Sequence, residues 1–210
     1  MGLVLYHYVH CPYCVRVRMA LGFLERSYDS KVLTYDDQAT PVSLIGQKML
    51  PIMSFDGVAM KESLDIIARL DIENKLQLKS DLSSAENFIK SVNNPVHSLA
   101  MPYWIWTKEF TPSAREYFVK QKEVKRGPFK NLVKNAEIFK QELAPLFDFL
   151  KGKLSPYFES DRLRIQDIMI SAHLWGLYVV PEFQFPPEIH SYLQKVKTEC
   201  CFNYHQDYWS

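Results

Sequence analysis

Leu3-Val4-Leu5-Tyr6-His7-Tyr8-Val9-His10-Cys11-Pro12-Tyr13-Cys14 is the stretch from which the rest of the chain is read. Residues 3–8 form an apolar run of strand length, and a CxxC pair follows where a strand would hand over to a helix. Val15, Met19, Gly22 and Phe23 then recur at helical spacing, which predicts a helix over residues 12–26. Two thiols two residues apart at such a junction pass between dithiol and disulfide with little backbone movement. CxxC is also half of a zinc site. The other cysteines, Cys200 and Cys201, are adjacent, and no second CxxC or H-x3-5-H pair exists. Redox chemistry is therefore favoured over metal binding, and no metal site is expected.

Outward from this stretch, the first 75 residues alternate strand-like and helix-like pieces. Lys31 to Tyr35 reads as a second strand, and Asp36-Asp37-Gln38-Ala39-Thr40-Pro41 as a turn, with Thr40 and Pro41 suited to the N-cap and first position of a short helix. Leu50 to Phe55 is a third strand, and Asp56-Gly57 turns it into Val58-Ala59-Met60. Ser63 is expected to cap a helix through Leu70 that buries Leu64, Ile67 and Ala68. From residue 83 the pattern is helical to the end. It opens on a capping box, Ser83-Ser84-Ala85-Glu86, with breaks expected at Asn94-Pro95, Thr111-Pro112, Gly127-Pro128 and Pro186-Pro187. The expected organisation is an α/β domain over residues 1–75, a linker at 76–82 and an all-helical domain over 83–210.

Composition removes several function classes. The chain has 210 residues, enough for a substantial core, a net charge of +1 and 23% charged residues, so whole-chain electrostatics favour neither nucleic acid nor an acidic partner. Four cysteines in this length do not make a secreted disulfide scaffold. No signal peptide is visible, Tyr6 stands where a myristoylation signal wants Ser or Thr, and no apolar run reaches membrane-spanning length. The expectation is a soluble, cytoplasmic protein of a reducing compartment, without membrane or nucleic-acid partners.

With Cys11 at the N-cap and Pro12 at the first helical position, the Cys11 sulfur faces the unpaired N–H groups and positive end of the helix. Cysteines so placed have pKa values lowered to about 3.5–7.5. Cys11 is thus the expected nucleophile and Cys14, a turn further in, the resolving thiol. Tyr13 reads as a wall of the substrate cleft. His10 either adds charge beside Cys11 or faces solvent. Pro51 reads either as a plain strand start or as a cis peptide that leaves the Leu50 backbone free for a peptide-like ligand. Glu62 and Ser63, at a helix start, suit an ammonium and a carboxylate held close together, as in an amino acid or the γ-glutamyl end of glutathione; ordinary capping by Ser63 fits equally.

Cys11-Pro12-Tyr13-Cys14, Gly46-Gln47-Lys48-Met49-Leu50-Pro51-Ile52, Glu62-Ser63-Leu64-Asp65-Ile66 and the segment Thr111 to Glu123 together resemble the bacterial glutaredoxin 2 family. These are the larger glutaredoxins, with a glutathione-transferase-like architecture. The resemblance covers most of the chain. It implies a thioredoxin-like N-terminal domain, a helical C-terminal domain, and reduction of protein disulfides and glutathione mixed disulfides. Glutathione would be the co-substrate, with no tightly bound cofactor. It further implies Cys11 and Cys14 as the redox pair, with Tyr13, Leu50, a cis-Pro51, Glu62 and Ser63 around glutathione and Lys48 near its glycyl carboxylate. Protein partners would be disulfide-containing or glutathionylated, and the chain monomeric. One departure stands out. The related transferase fold places Ser or Thr at the cap position held here by Arg164, so that either Asp161 caps an earlier start or the helix carrying Asp167 is held less well, by roughly 1 kcal/mol.

Several features are assigned to structure rather than chemistry. Cys200 and Cys201 read as packing thiols of the last helix, and Tyr103-Trp104-Ile105-Trp106 as interior packing. Lys120 to Lys134, interleaved with acids, reads as a solvated helix face. His97, His173, His190 and His205 show no ligand spacing and read as structural. Two rival functions stay open at this level: a cysteine-type glutathione transferase or dehydroascorbate reductase, and a non-catalytic transferase-like binding module.

Overall fold

The structure, a computed structural model, describes residues 2–203. His205 and the first methionine lie outside the described residues. The N-terminal part is a four-stranded sheet in the order β2-β1-β3-β4, built from β1 (Leu3–His7), β2 (Asp29–Val32), β3 (Ile52–Phe55) and β4 (Val58–Met60). β1 and β2 run parallel, as their connection through helix α1 (Pro12–Phe23) requires, while β3 and β4 form an antiparallel hairpin beside β1. α2 (Ala39–Ile45) and α3 (Ser63–Leu70) complete this thioredoxin-like domain.

The helical domain follows as α4 (Ser83–Trp104), α5 (Pro112–Arg126), α6 (Phe129–Lys134), α7 (Ala136–Gly152), α8 (Ile165–Leu174), a short 3-10 turn (Trp175–Val179) and α9 (Pro187–Glu199). The stretch expected as a linker, residues 76–82, is pinned: Leu76 is fully buried and its carbonyl accepts from Ile165 N–H at 2.9 Å. No helix among the described residues is long and apolar enough to cross a membrane.

α1 is the axis of the molecule. It packs against α3 on one side and against α8 and α9 of the helical domain on the other, which is why Cys14, Val15, Val17, Met19, Ala20 and Leu21 are all buried without a polar face. Gly22 lets the end of α9 approach. A Cβ built there would lie 1.8 Å from the carbonyl oxygen of Cys200, backbone against backbone, with no flexible side chain to yield. Gly22→Ala is therefore expected to destabilise the protein by about 3 kcal/mol through forced separation of α1 and α9. The check is the urea midpoint; an unchanged midpoint would mean that this contact relaxes freely.

Element boundaries depart from the local expectations, once through a distant contact and otherwise through turn geometry and competing caps nearby. The second strand is Asp29–Val32, not Lys31–Tyr35, because the N–H of Tyr35 leaves the sheet to bond the carbonyl of Glu109 at 3.0 Å. The third strand starts at Ile52, since Leu50-Pro51 is a cis peptide ahead of the ladder. α1 ends at Phe23 rather than residue 26: Glu25 turns left-handed at φ 52° and Arg26 N–H returns to the Leu21 carbonyl. α2 starts at Ala39, before the expected cap Thr40, whose N–H is instead taken by the Asp37 carboxylate at 3.0 Å.

α4 also begins one residue early. Ser83 lies inside the helix, and its N–H and hydroxyl both donate to Asp81. The break expected at Asn94-Pro95 does not occur. α4 runs through Pro95 and Pro102 because Val92, Val96, Leu99 and Ala100 are buried on the face that meets α6, α7 and α8. That burial offsets an interior-proline cost of about 3 kcal/mol each. The breaks at Thr111-Pro112, Gly127-Pro128 and Pro186-Pro187 do form, the first with the Thr111 hydroxyl accepting from Ala114 N–H at 3.3 Å.

α8 begins at Ile165, so Asp161 caps no earlier start, and Arg164, having no acceptor, does not cap either. Asp167 organises the helix instead. Its carboxylate accepts from Arg164 N–H at 2.8 Å, from Phe158 N–H at 2.8 Å and from the Tyr192 hydroxyl at 2.9 Å. The side chain is fully buried, and that burial, working against these bonds, lifts its pKa to about 6.

Candidate functional site

β1 ends at His7, and the chain crosses Tyr8, Val9 and His10 before α1 begins. Cys11 sits at the N-cap of α1 with extended backbone at φ −72° and ψ 121°, and its carbonyl takes the first helical bond from Val15 N–H at 2.9 Å. Pro12 occupies the first helical position, where a missing N–H costs nothing. Cys11 is partly exposed, Cys14 fully buried, and both are free thiols.

The two sulfurs are electrostatically unequal. The hydrogen bond from the Cys14 thiol does most to stabilise a Cys11 thiolate. Burial opposes it, and His10 and the backbone N–H groups of Cys14 and Tyr13 assist; together they push the Cys11 pKa down to about 6. Burial drives Cys14 the other way, well above an ordinary thiol, and the neighbouring Cys11 adds to that. Cys14 Sγ accepts from Tyr8 N–H at 3.4 Å, which ties the second sulfur to the end of β1. The arrangement holds one sulfur ionised near neutrality and a second protonated beside it.

Leu50-Pro51 is a cis peptide at the mouth of β3. Leu50 lines a cavity of about 240 Å³ with Tyr8, Tyr35, Lys48, Tyr117 and Lys122. Lys48 Nζ lies over the rings of Tyr35 and Tyr117, at 4.9 and 4.3 Å from their centroids. This wall comes from both domains. The stretch read from sequence as a solvated helix face thus contributes Lys122, Lys125 and Gln121 to it, a placement that its spacing does not reveal.

Ser63 does not cap α3. Glu62 holds the N-cap position, in left-handed backbone at φ 67°, and Ser63 is the first helical residue. The Ser63 hydroxyl is buried and accepts from Arg16 Nη1 at 3.3 Å, while Glu62 is exposed. The buried face of α3 is Ser63, Ile66, Ile67 and Leu70; Ala68, expected inside, is exposed.

Tyr13 is 49% exposed and walls a second cavity, of about 370 Å³, with Arg16, Leu64, Met169 and His173. Arg16 stacks on the Tyr13 ring at 5.1 Å, and His173 meets the same ring edge-on. His173 and His97 are desolvated, which lowers their pKa values to about 4 and about 3. His190 is exposed and bonds the Tyr178 hydroxyl at 3.0 Å. Trp104 is core, whereas Trp106 is exposed under the Arg115 guanidinium. Cys200 is buried, with its pKa raised by burial, and Cys201 is exposed. Among the described residues no group of three or more His, Cys, Asp or Glu is placed to hold a metal ion.

Arg16 and Glu109 are among the site residues that sequence reasoning passed over, as are Tyr35, Tyr117 and Lys122 of the cavity beside Leu50. Glu109 stands 98 positions after Cys11 yet bonds the residue beside it.

Comparison with known proteins gives a consistent picture. Residues 84–205 match the family model described as glutaredoxin 2, C-terminal domain, and residues 5–76 match the glutathione S-transferase N-terminal domain. Glutaredoxin 2 of Escherichia coli (strain K12) is 32% identical over 206 residues, covering 95% of this chain and 96% of the relative. The crystal structure of glutaredoxin 2 from Salmonella typhimurium in complex with glutathione superposes with a TM-score of 0.88 at 29% identity, covering 98% and 97% of the two chains. A glutathione transferase of Phanerochaete chrysosporium shares the fold at a TM-score of 0.78 and 14% identity, covering 95% and 97%.

Proposed function

Since the chain belongs to the glutaredoxin 2 family, we propose that Cys11 and Cys14 are the dithiol through which it carries out glutathione-dependent disulfide reduction. It is a glutathione-disulfide oxidoreductase, and the reading of its residues rests on one observation. The Cys11 sulfur, partly exposed at the N-cap of α1, has its pKa pushed down to about 6. A thiolate at neutral pH is the nucleophile this exchange requires.

With a glutathionylated protein, the Cys11 thiolate attacks the glutathione sulfur. The old S–S bond breaks, the protein leaves as its thiolate and takes up a proton, and glutathione stays on Cys11. A second glutathione thiolate then attacks that glutathione sulfur, releasing glutathione disulfide and restoring the Cys11 thiolate. With a protein disulfide, Cys11 is left joined to the substrate. Its negative charge is then gone, and with it one of the causes that hold Cys14 protonated. Cys14 loses its proton, attacks the Cys11 sulfur and closes the Cys11–Cys14 disulfide as the substrate leaves with its second sulfur, which takes up a proton. One glutathione thiolate then opens that bridge by joining Cys11, and a second releases glutathione disulfide and restores the dithiol.

Leu50, cis-Pro51, Tyr13, Glu62 and Ser63 are proposed to hold glutathione. The free backbone at Leu50 suits its cysteinyl peptide, and the α3 start suits its γ-glutamyl end. Lys48, in the cavity beyond, suits the glycyl carboxylate. All these groups come from one chain, so the site needs no second copy to complete it, and the chain is proposed to act as a monomer. A cytoplasmic setting, with its reduced glutathione pool, and disulfide-containing or glutathionylated protein partners follow from the chemistry.

The dithiol assignment is tested with Cys14→Ser. Reduction of a glutathionylated peptide is expected to stay within about threefold of wild type, while reduction of a protein disulfide falls roughly a hundredfold. Equal loss of both activities would remove Cys14 from the resolving role.

A further inference from the structure

The turn between α4 and α5 belongs to the helical domain, yet it supplies a group that grips the residue preceding Cys11. Glu109 in that turn is 1% exposed. Its Oε1 accepts from the backbone N–H of His10 at 3.1 Å and pairs with the Nδ1 of the same residue. Its main-chain carbonyl accepts from Tyr35 N–H at 3.0 Å. One buried residue therefore fastens both the peptide that enters Cys11 and the segment whose tyrosine walls the neighbouring cavity.

The imidazole is buried and enclosed by aromatic side chains. The rings of Tyr8, Tyr35, Trp104, Phe110 and Phe118 lie with centroids 5.2–5.6 Å from it. Among those rings a carboxylate is costly to desolvate, and fastening two domains together needs no charge, since apolar contact does that at lower cost. The charge and its direction call for another role.

We propose that Glu109 is a positioning residue for the thiol chemistry, holding His10, and through it Cys11, in a fixed geometry. This rests on the reading of Cys11 as nucleophile. Glu109 itself touches no reacting atom; it sets the peptide that leads into Cys11 and the orientation in which the His10 ring acts on the sulfur. Burial by itself raises the Glu109 pKa, but the bonds and charge of His10 outweigh it and hold the carboxyl below its ordinary value. His10 is in turn among the groups that lower the Cys11 pKa. Among the described residues, the other titratable or charged groups facing that sulfur are Cys14 and Arg16 from α1, Tyr8 after β1, Tyr35 before α2, Lys122 from α5 and, around the pair itself, His7 from β1 and His97 from α4.

The test is the pH dependence of Cys11 alkylation by iodoacetamide in the full chain, read by mass on the Cys11 peptide. Thermal melting and glutathione-coupled reduction of hydroxyethyl disulfide are followed alongside. Glu109→Gln keeps an acceptor of the same shape without its charge, and His10→Asn keeps a side-chain donor without the ring. In both, the alkylation midpoint is expected to rise by about one pH unit, so that reduction slows about threefold at pH 6.5 and recovers at pH 9. A folded Glu109→Gln protein with an unmoved midpoint overturns the proposal, whatever its melting temperature. Should Glu109→Gln not fold, an unmoved midpoint in His10→Asn overturns it equally. Failure of the underlying reading looks different. The wild-type chain would then not reduce the disulfide, while a midpoint shift in Glu109→Gln would still support the positioning role.

Discussion

Cys11→Ser is expected to abolish reduction of glutathionylated and disulfide substrates alike, a fall of at least about a thousandfold in a glutathione-coupled assay. A serine hydroxyl at the N-cap of α1 feels the same helix field and the same His10, yet it stays protonated at neutral pH and forms no mixed disulfide with glutathione. The fold is left intact, because serine is itself a favoured N-cap residue. The wild-type pH profile belongs to the same prediction. The reactive species is the thiolate, whose pKa is pushed down to about 6, so the rate rises with pH through that value and levels off above it. One unit below the midpoint the thiolate fraction, and with it the rate, is about tenfold lower. Retained deglutathionylation by Cys11→Ser would falsify the assignment, and a midpoint near an ordinary thiol value would remove its electrostatic basis.

Asp167→Ala carries the largest expected cost to stability. One carboxylate accepts three bonds, from Arg164 N–H, Phe158 N–H and the Tyr192 hydroxyl, which joins the turn before α8, the start of α8 and α9. Alanine leaves the two N–H groups and the hydroxyl without their acceptor in a space that is largely closed to water. At about 1–3 kcal/mol for each buried donor, partly relieved by relaxation, the loss is about 4 kcal/mol. That corresponds to a fall of about 8–16 °C in melting temperature for a chain of this size. Asp167→Asn, which retains an acceptor for two of the donors, should lose distinctly less. Equal melting of the alanine variant and the wild type would mean that α8 is held by packing alone. Cys11 chemistry measured well below the melting transition should be untouched in both variants, since no bond of Asp167 reaches the site.

How much of this was legible beforehand differs from one feature to the next. The strand–CxxC–helix junction was readable because each of its signals is local. An apolar run sets the strand, proline is at home in the first helical turn, and two thiols one turn apart must share a helix end. The cis peptide at Leu50-Pro51 was one of two open readings, and the structure has a cis bond there, just ahead of the ladder. The caps were harder. Thr40, Ser63 and Ser83 are all good cap residues, and all three lie inside their helices, with Asp37 and Asp81 receiving the N–H groups of Thr40 and Ser83. Aspartate and serine compete for the same position on nearly equal terms, so composition alone does not decide between them. Pro95 misled for a different reason: a helix buried on several sides tolerates a missing hydrogen bond that an exposed helix would not.

From the residues themselves came the CxxC pair proposed as the dithiol, the α/β-then-helical layout and the kinship with the glutaredoxin 2 family, because each depends on neighbours within a turn or two or on motifs at fixed spacing. Tertiary structure alone decided what surrounds the thiolate. Glu109 beside His10, Arg16 against Ser63, and Lys122 facing Lys48 across the cavity are pairings of side chains separated by tens of positions. No periodicity links such residues. Arg16 meets Ser63 because α3 packs against α1, whereas Glu109 and Lys122 reach the site through the α4–α5 turn and α5 of the second domain. The electrostatics of a buried site, in which an unpaired charge is too costly to keep, are set by those meetings.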